Sequence, residues 1–216
     1  MPTRRRAARP RPTMVLLVRH GQTPTTGKVL PGRSPGLHLG DAGKAQAQAA
    51  ADAIKAMKQI DAVYSSPLER AKETAAPIAA ARGLKIQLDK GLLELDIGEW
   101  TGEELAKAAR KPEWRVVQRY PSGFRFPGGE SFNELQTRIV GTIARIVAAH
   151  PGGTVVAVSH ADPIKAAVVH ASGAHMDMFQ RISISPASIT AIAYGELAPM
   201  VLSVNWVPSL MAAKPS

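Results

Sequence analysis

The stretch Met14-Val-Leu-Leu-Val-Arg-His-Gly21 places an unbroken apolar run immediately before an arginine and a histidine. A matching run, Thr154-Val-Val-Ala-Val158, is followed by Ser159 and a second histidine, His160. Short continuous apolar runs are typical of strands buried on both faces of a parallel sheet. Because ligands bind at the carboxyl ends of such strands, the two histidines are expected to meet at one site, although 140 positions separate them.

A third segment adds positive charge to this site. The run Ala62-Val-Tyr-Ser-Ser-Pro-Leu-Glu-Arg-Ala-Lys-Glu-Thr74 predicts a strand, a turn and a helix, with Arg70 in the first turns of the helix. Two arginines and two histidines around one point would repel one another unless an anion lay among them. Guanidinium groups match phosphate oxygens in a bidentate fork, so the predicted ligand is a phosphoryl group.

Six short motifs follow one another along the chain. They are Leu17-Val-Arg-His-Gly-Gln-Thr23, Leu39 to Ala47 with Gly43 and Gln46, Ser65-Ser-Pro-Leu-Glu-Arg-Ala-Lys-Glu-Thr-Ala75, Leu93-Glu-Leu-Asp-Ile-Gly-Glu-Trp-Thr-Gly102, Gly129-Glu-Ser131 and Val158-Ser-His160. In this order they resemble the histidine phosphatase superfamily, also called phosphoglycerate mutase-like, from Leu16 to about Ala193. The resemblance implies a three-layer α/β/α sandwich with a mostly parallel central sheet.

The resemblance also implies roles for the clustered residues. His20 would attack phosphorus and become a transient phosphohistidine, with its tautomer fixed by a nearby backbone carbonyl. Arg19 and Arg70 would hold the phosphoryl oxygens, and His160, protonated among those oxygens, would add a third donor. Thr23 is expected to add a hydroxyl to the phosphate pocket; the alternative is a simple turn or cap hydroxyl.

The proton donor for the leaving oxygen has two candidates. Glu94 stands where the family places its acid, and it would need partial burial to stay protonated near neutral pH. Asp162 competes, because another branch of the superfamily uses an aspartate immediately after the second histidine. Here Ala161 intervenes, and alternation along an extended backbone should point Asp162 elsewhere. Glu94 is therefore the predicted acid.

The sequence departs from the family pattern at two positions. Ala161 replaces the glycine usual after the second histidine, and Thr26 stands where many members carry an asparagine that helps to hold phosphate. The backbone N–H of Ala161 and the hydroxyl of Thr26 are still predicted to bind phosphate, but the substrate preference is open. Arg33, in a loop rich in proline and glycine, either reaches a second anionic group or is a solvated loop arginine.

Composition limits the function. The chain of 216 residues contains no cysteine, which excludes disulfides, thiolate metal sites and cysteine nucleophiles and is compatible with a cytoplasmic location. No apolar run is long enough to predict a membrane span. No cofactor and no metal are predicted, because no His-Glu-x-x-His pair occurs and the pocket is already cationic.

The net charge of +10 is concentrated at the amino terminus, because residues 1–13 contain five arginines and no acid. This segment cannot bury apolar surface and is predicted to be a disordered basic tail. Such a tail is compatible with an upstream start and with Met14 as an alternative initiator; the alternative is that it binds nucleic acid or an acidic surface. Residues 14–207 are the predicted histidine phosphatase domain, and residues 208–216 a loose tail.

Helical spacing predicts further elements. Ala45, Ala49, Ala53 and Met57 recur from Asp41 onward and predict a helix that packs on the sheet through this face. The irregular, aromatic segment 101–130 is a candidate lid or specificity region. A helix over 132–150, another from Pro163 to about Ser172, and a hairpin of two strands over 188–194 and 200–206 follow.

The predicted function is that of a metal-independent phosphatase acting on a small phosphorylated metabolite. The main alternative is a phosphoglycerate mutase or other phosphomutase with the same residues; such mutases carry a longer insertion than the interval from Glu94 to His160 allows. A binding module that has lost catalysis is a third hypothesis, and a nucleic-acid-binding function is disfavoured. A homodimer through an edge strand or a helix remains open.

Overall fold

The computed structural model describes residues 11–208. The strands in this part of the chain are β1 (Thr13–Arg19), β2 (Ala62–Ser65), β3 (Ile86–Leu88), β4 (Thr154–Ser159), β5 (Ile189–Tyr194) and β6 (Pro199–Trp206). The helices are α1 (Asp41–Lys55), α2 (Glu69–Ala80), α3 (Leu105–Ala108), α4 (Trp114–Arg119), α5 (Phe132–Ala149) and α6 (Ala161–Ala171). Within these residues no helix is long and apolar enough to cross a membrane.

The sheet has the strand order β3-β2-β4-β1-β5-β6. The pairs from β3 to β1 are parallel, and β5 is antiparallel to both of its neighbours. Along β1, Val15 and Leu17 pack in one buried cluster with residues of α5 and α6, whereas Leu16 and Val18 pack in another with residues of α1 and α2. The predicted three-layer α/β/α sandwich with a mostly parallel sheet is confirmed.

Helix α1 buries a different face from the predicted one. Its buried positions are Gly43, Ala47, Ala50, Ala51 and Ile54, whereas the predicted positions from Ala45 to Met57 are partly or fully exposed. Alanines occupy both stripes, so hydrophobic spacing alone could not choose between them. The first buried position, Gly43, packs closely against the loop after His20: a Cβ there would lie 2.0 Å from the carbonyl oxygen of Gln22.

Two element boundaries also differ from the predicted ones. Strand β1 begins at Thr13, whose hydroxyl donates to the carbonyl of His150 at 2.9 Å, so the predicted tail over residues 1–13 is too long at its end. Residues 1–10 and 209–216 of the predicted tails lie outside the described range, whereas Arg11, Pro12 and Pro208 lie within it. Helix α6 begins at Ala161, two residues before the predicted Pro163, because proline is tolerated within a first turn.

The segment predicted as a lid is packed onto the core by its aromatic side chains. Trp114 stacks on Trp100 with ring centroids 6.4 Å apart, and Phe126 lies edge to face on Trp100 at 5.2 Å. Phe126 also contacts Phe132 at the start of α5. The segment therefore forms a packed cap, built largely from α3, α4 and the turns around them. The aromatic side chains that pack on the core leave only part of the cap's surface open to a ligand.

Candidate active site

The pairing of β1 with β4 sets two histidines side by side. Arg19 lies opposite Ser159 in the parallel register, so the next residues, His20 and His160, leave the sheet together. The backbone N–H of His20 donates to the carbonyl of Ser159 at 3.0 Å. The two imidazole rings lie edge to face with centroids 5.1 Å apart.

His20 is held as a neutral imidazole. Its Nδ1 lies 2.8 Å from the carbonyl oxygen of Gly21. Because a carbonyl only accepts, Nδ1 carries the proton and Nε2 keeps its lone pair. Burial, followed by the charges of Arg19 and Arg70, lowers the pKa of His20 to about 3. The free nitrogen is therefore available as a nucleophile at neutral pH.

The two arginines of the cluster donate to backbone carbonyls through Nη atoms, whereas their Nε atoms have no partner among residues 11–208. Arg70 is fully buried and donates to the carbonyl of Gly32 at 2.8 Å, and Arg19 donates to that of Ile184 at 2.6 Å. Within residues 11–208, the Nε atoms of both arginines are buried without a hydrogen-bond partner, and so is Nδ1 of His160. Buried polar nitrogens are rarely left unpaired, so this cluster is suited to an anion.

His160 is fixed by a residue that the sequence did not single out. Its Nε2 lies 2.8 Å from the hydroxyl of Ser66, and both side chains are fully buried. Burial, with smaller effects from His20, Arg70 and Arg19, holds the pKa of His160 well below its usual range. A neutral imidazole still offers one N–H, and the protonation of His160 among phosphoryl oxygens stays a prediction.

Two carboxyl groups, Glu94 and Asp162, line the same cavity. Burial, and secondarily the charge of Asp162, raises the pKa of Glu94 to about 7, although the N–H of Leu95 donates to its carboxylate at 2.9 Å. Glu94 can thus hold a proton near neutral pH. The prediction that Asp162 points away is wrong, because the chain is already helical at Ala161 and strand alternation does not apply.

The cavity around these groups has a volume of about 200 Å³. Thr23, Thr26 and Ala161 line it together with Arg19 and His20, whereas Arg70 and His160 are buried and are absent from its surface. The hydroxyls of Thr23 and Thr26 lie 3.1 Å apart, so they close a turn and also line the cavity. The first N–H groups of α6 have no partner within the helix, and they begin at Ala161 on the cavity wall.

The described chain also has a cavity outside this cluster. A larger cavity, of about 510 Å³, lies near the amino ends of β1 and β4 and contains none of the clustered residues. Across residues 11–208, no group of three or more His, Cys, Asp and Glu side chains is arranged to hold a metal ion.

Neither alternative predicted for Arg33 is correct. Its guanidinium pairs with Asp96 at 3.2 Å and with Glu130 at 2.9 Å, and its Nε donates to the backbone carbonyl of Glu94 at 2.9 Å. Arg138 of α5 completes the network, because it binds Glu130 and donates to the same Glu94 carbonyl at 3.2 Å. These two arginines fix the backbone that carries Glu94. Arg138 carried no sequence signal, because it lies in an ordinary amphipathic helix.

The geometry defines a class of protein: an α/β sheet protein whose strand ends form a buried, cationic pocket with a carboxyl group beside it. The comparison with family models gives the particular family. The model of the histidine phosphatase superfamily, branch 1, matches residues 15–207. The chain belongs to this superfamily, and the resemblance of the six motifs is confirmed.

Individual relatives agree with this assignment. The bifunctional protein Rv2228c of Mycobacterium tuberculosis is 38% identical over 202 residues, which cover 92% of this chain and 55% of that protein. The chain thus spans about half the length of this relative. Phosphoserine phosphatase 1 of Hydrogenobacter thermophilus is 30% identical, over 88% of this chain and 91% of that protein. The solved structure of the mycobacterial glucosyl-3-phosphoglycerate phosphatase Rv2419c is 26% identical, with a TM-score of 0.81, and the match covers 91% of this chain and 100% of that one.

Proposed function

We propose that this protein is a metal-independent phosphatase that hydrolyses a small phosphomonoester through a phosphohistidine on His20. One observation carries the proposal: a neutral histidine with a free Nε2 lies beside buried guanidinium nitrogens that have no partner in residues 11–208. Two relatives named above are phosphatases of small phosphorylated metabolites, which supports the same chemistry.

In the first step, the Nε2 lone pair of His20 attacks phosphorus. The N–P bond forms while the P–O ester bond breaks, and protonated Glu94 gives its proton to the leaving alcohol oxygen. Arg19, Arg70 and the N–H groups at the start of α6 balance the charge on the phosphoryl oxygens. By the usual scale for one such donor, each is worth about 3 kcal/mol in the transition state.

In the second step, water replaces the histidine. The Glu94 carboxylate takes a proton from the attacking water, the new P–O bond forms, and the N–P bond returns its electron pair to Nε2. Inorganic phosphate leaves, and Glu94 is again protonated for the next cycle. One carboxyl group therefore acts as acid and then as base, which suits a group whose pKa is raised to about 7.

The experiment is phosphate release from a panel of phosphomonoesters in the presence of a chelator. We expect release by the intact chain, loss of at least a thousandfold in His20→Ala, and little change in His170→Ala, which removes an exposed histidine outside the site. Acid-labile labelled phosphoprotein should accumulate after rapid quenching of the intact chain. Release that survives in His20→Ala would overturn the proposal, and isomerisation of 3-phosphoglycerate without release would make the protein a phosphomutase.

A further inference from the structure

A second cavity adjoins the phosphoryl site. It has a volume of about 160 Å³, and three side chains, Leu30, Ile97 and Asp162, line both cavities. An ester whose phosphoryl group lies beside His20 would extend its alcohol portion from the first cavity. The second cavity is the adjacent space on the side of Asp162.

The walls of this second cavity are mostly apolar. The lining includes Trp114, Val117, Phe126 and Phe132, and the first three come from the packed cap between residues 101 and 130. A cavity of about 160 Å³ has room for a small ring or a short polyol. Flat faces of a ring pack well against such aromatic walls.

The polar groups of the cavity are two glutamines and one carboxylate. Gln180 is already occupied, because its amide nitrogen donates to the carbonyl of Val117 and its oxygen accepts from Lys165, both at 3.3 Å. Lys165 lies over the ring of Phe179 and forms an ion pair with Asp162 at 3.7 Å, which leaves the carboxylate oxygens without a hydrogen bond from the lysine. Gln118 and Asp162 are therefore the groups best placed to meet a ligand.

The charge of these walls selects among alcohols. Carboxylate oxygens, such as those of Asp162, accept hydrogen bonds but donate none. The residues lining the second cavity include no lysine or arginine that would pair with an acidic ligand. A hydroxyl or ammonium group would bond to the Asp162 carboxylate, whereas a ligand carboxylate would be repelled by it.

We propose that this cavity is the leaving-group subsite, that it takes the uncharged or cationic alcohol portion of a phosphomonoester, and that Asp162 rejects alcohols that carry a carboxylate. The inference rests on the proposed phosphatase function and narrows its substrate class. It separates two esters of equal length: glycerol 3-phosphate carries a hydroxymethyl group where 3-phosphoglycerate carries a carboxylate.

The test compares these two esters in one enzyme. We expect kcat/KM for glycerol 3-phosphate to exceed that for 3-phosphoglycerate by at least tenfold, and Asp162→Asn to shrink this ratio by about tenfold. Any effect of Asp162 on the acid Glu94 acts on both substrates, so it cancels from the ratio. Asp41→Asn, which removes an exposed carboxylate at the start of α1, should leave the ratio unchanged.

A second variant tests the volume. Gln118→Trp places a large side chain at the cavity wall, and it should lower kcat/KM for ribose 5-phosphate at least tenfold more than for phosphoethanolamine, which is smaller and cationic. An unchanged melting temperature would show that the variant is folded. Equal losses for the two esters would overturn the placement of the alcohol in this cavity.

A binding measurement distinguishes an error in the proposed subsite from an error in the proposed phosphatase function. Calorimetry with His20→Ala measures recognition of both three-carbon esters without turnover. Tighter binding of glycerol 3-phosphate, with no hydrolysis by the intact chain, would keep the subsite and remove the phosphatase function. Hydrolysis with a ratio near one, or a ratio that Asp162→Asn does not change, would keep the phosphatase function and overturn the subsite.

Discussion

The Nε2 atom of His160 lies 2.8 Å from the hydroxyl oxygen of Ser66, and the contact joins the end of β4 to the end of β2 across fully buried side chains. The hydroxyl also accepts from the N–H of Leu68 at 3.4 Å. With Nε2 engaged by the serine, the ring is fixed with Nδ1 as its free nitrogen, and Nδ1 has no partner in the described chain. Ser66 thus acts as a positioning residue for His160.

Ser66→Ala should lower kcat by about ten- to a hundredfold while KM changes less. A lost hydrogen bond to a buried polar group costs about 1–3 kcal/mol, and about 1.4 kcal/mol corresponds to a factor of ten in rate. The matched control is Ser65→Ala, because the neighbouring buried hydroxyl of Ser65 donates to the Ser66 carbonyl and not to His160. Steady-state kinetics of both variants measures the difference.

The ¹⁵N chemical shifts of the imidazole rings report on the hydrogen bond of His160 and would not change if Ser66→Ala only made the protein less stable. The His160 signals should shift in Ser66→Ala, because Nε2 of the ring loses its hydrogen-bond partner, and they should stay in place in Ser65→Ala. Equal kinetic losses in both variants, with unchanged His160 signals, would show that Ser66 only supports the fold.

The rate should fall as the pH rises through about 7. Glu94 must carry a proton to donate it, and burial raises its pKa to about 7, so the donating form is lost above that value. His20 remains neutral down to a pKa of about 3 and does not limit the rate on the acid side near neutrality. The profile of kcat/KM against pH measures this limb. Glu94→Gln should be much slower, and its kcat/KM should not fall as the pH rises through 7. If the fall persisted in this variant, a group other than Glu94 would cause it.

Asp162→Asn should move the same limb to lower pH. The negative charge of Asp162 is the second cause of the raised pKa of Glu94, after burial, so its removal makes Glu94 lose its proton more easily. The profile of the variant should therefore turn downward at a lower pH than that of the intact chain. A limb that stays in place would mean that burial alone sets the pKa of Glu94.

Acid should destabilise the fold through the buried histidines. The pKa of His20 is lowered from an ordinary 6.5 to about 3, so between these values the unfolded chain binds a proton that the folded chain does not. The free energy of unfolding should thus fall as the pH drops through this window, by about 1.4 kcal/mol per pH unit for one histidine. Urea unfolding at several pH values should show a shallower dependence in His20→Asn than in the intact chain. A slope as steep in His20→Asn would contradict this origin.

Sequence patterns predicted the sheet centre and the meeting of His20 with His160, because continuous apolar runs and parallel pairing fix both. They could not choose the buried face of α1, where alanine occupies both stripes. They also predicted the wrong direction for the Asp162 side chain. That prediction assumed an extended backbone after His160, whereas the helix begins at the very next residue, Ala161. Ser66 and Arg138 were missed for a different reason. Their partners, His160 and the Glu94 carbonyl, are 94 and 44 positions away, and no local pattern records such contacts.

Helix α1 meets the loop that follows His20 through two glycines, Gly43 and Gly21. A Cβ at Gly43 would lie 2.0 Å from the carbonyl oxygen of Gln22, and one at Gly21 would lie 2.5 Å from that of Gly43. Both obstacles are backbone atoms, so neither can move aside as a flexible side chain would. The loop that carries the Gly21 carbonyl, and with it the Nδ1 contact of His20, is therefore held by close backbone packing.

Gly43→Ala should destabilise the protein by about 1–3 kcal/mol, the usual cost of overpacking, and should also lower kcat/KM because the loop must shift away from α1. Gly141→Ala is the matched control: it too is a helical glycine, in α5, but its added Cβ would meet nothing within 4 Å. That change should stabilise the fold by up to about 1 kcal/mol through helix propensity and leave the rate unchanged. Urea unfolding and steady-state kinetics measure both effects. If Gly43→Ala were as stable and as active as Gly141→Ala, the close approach of α1 would not be what holds the loop of His20.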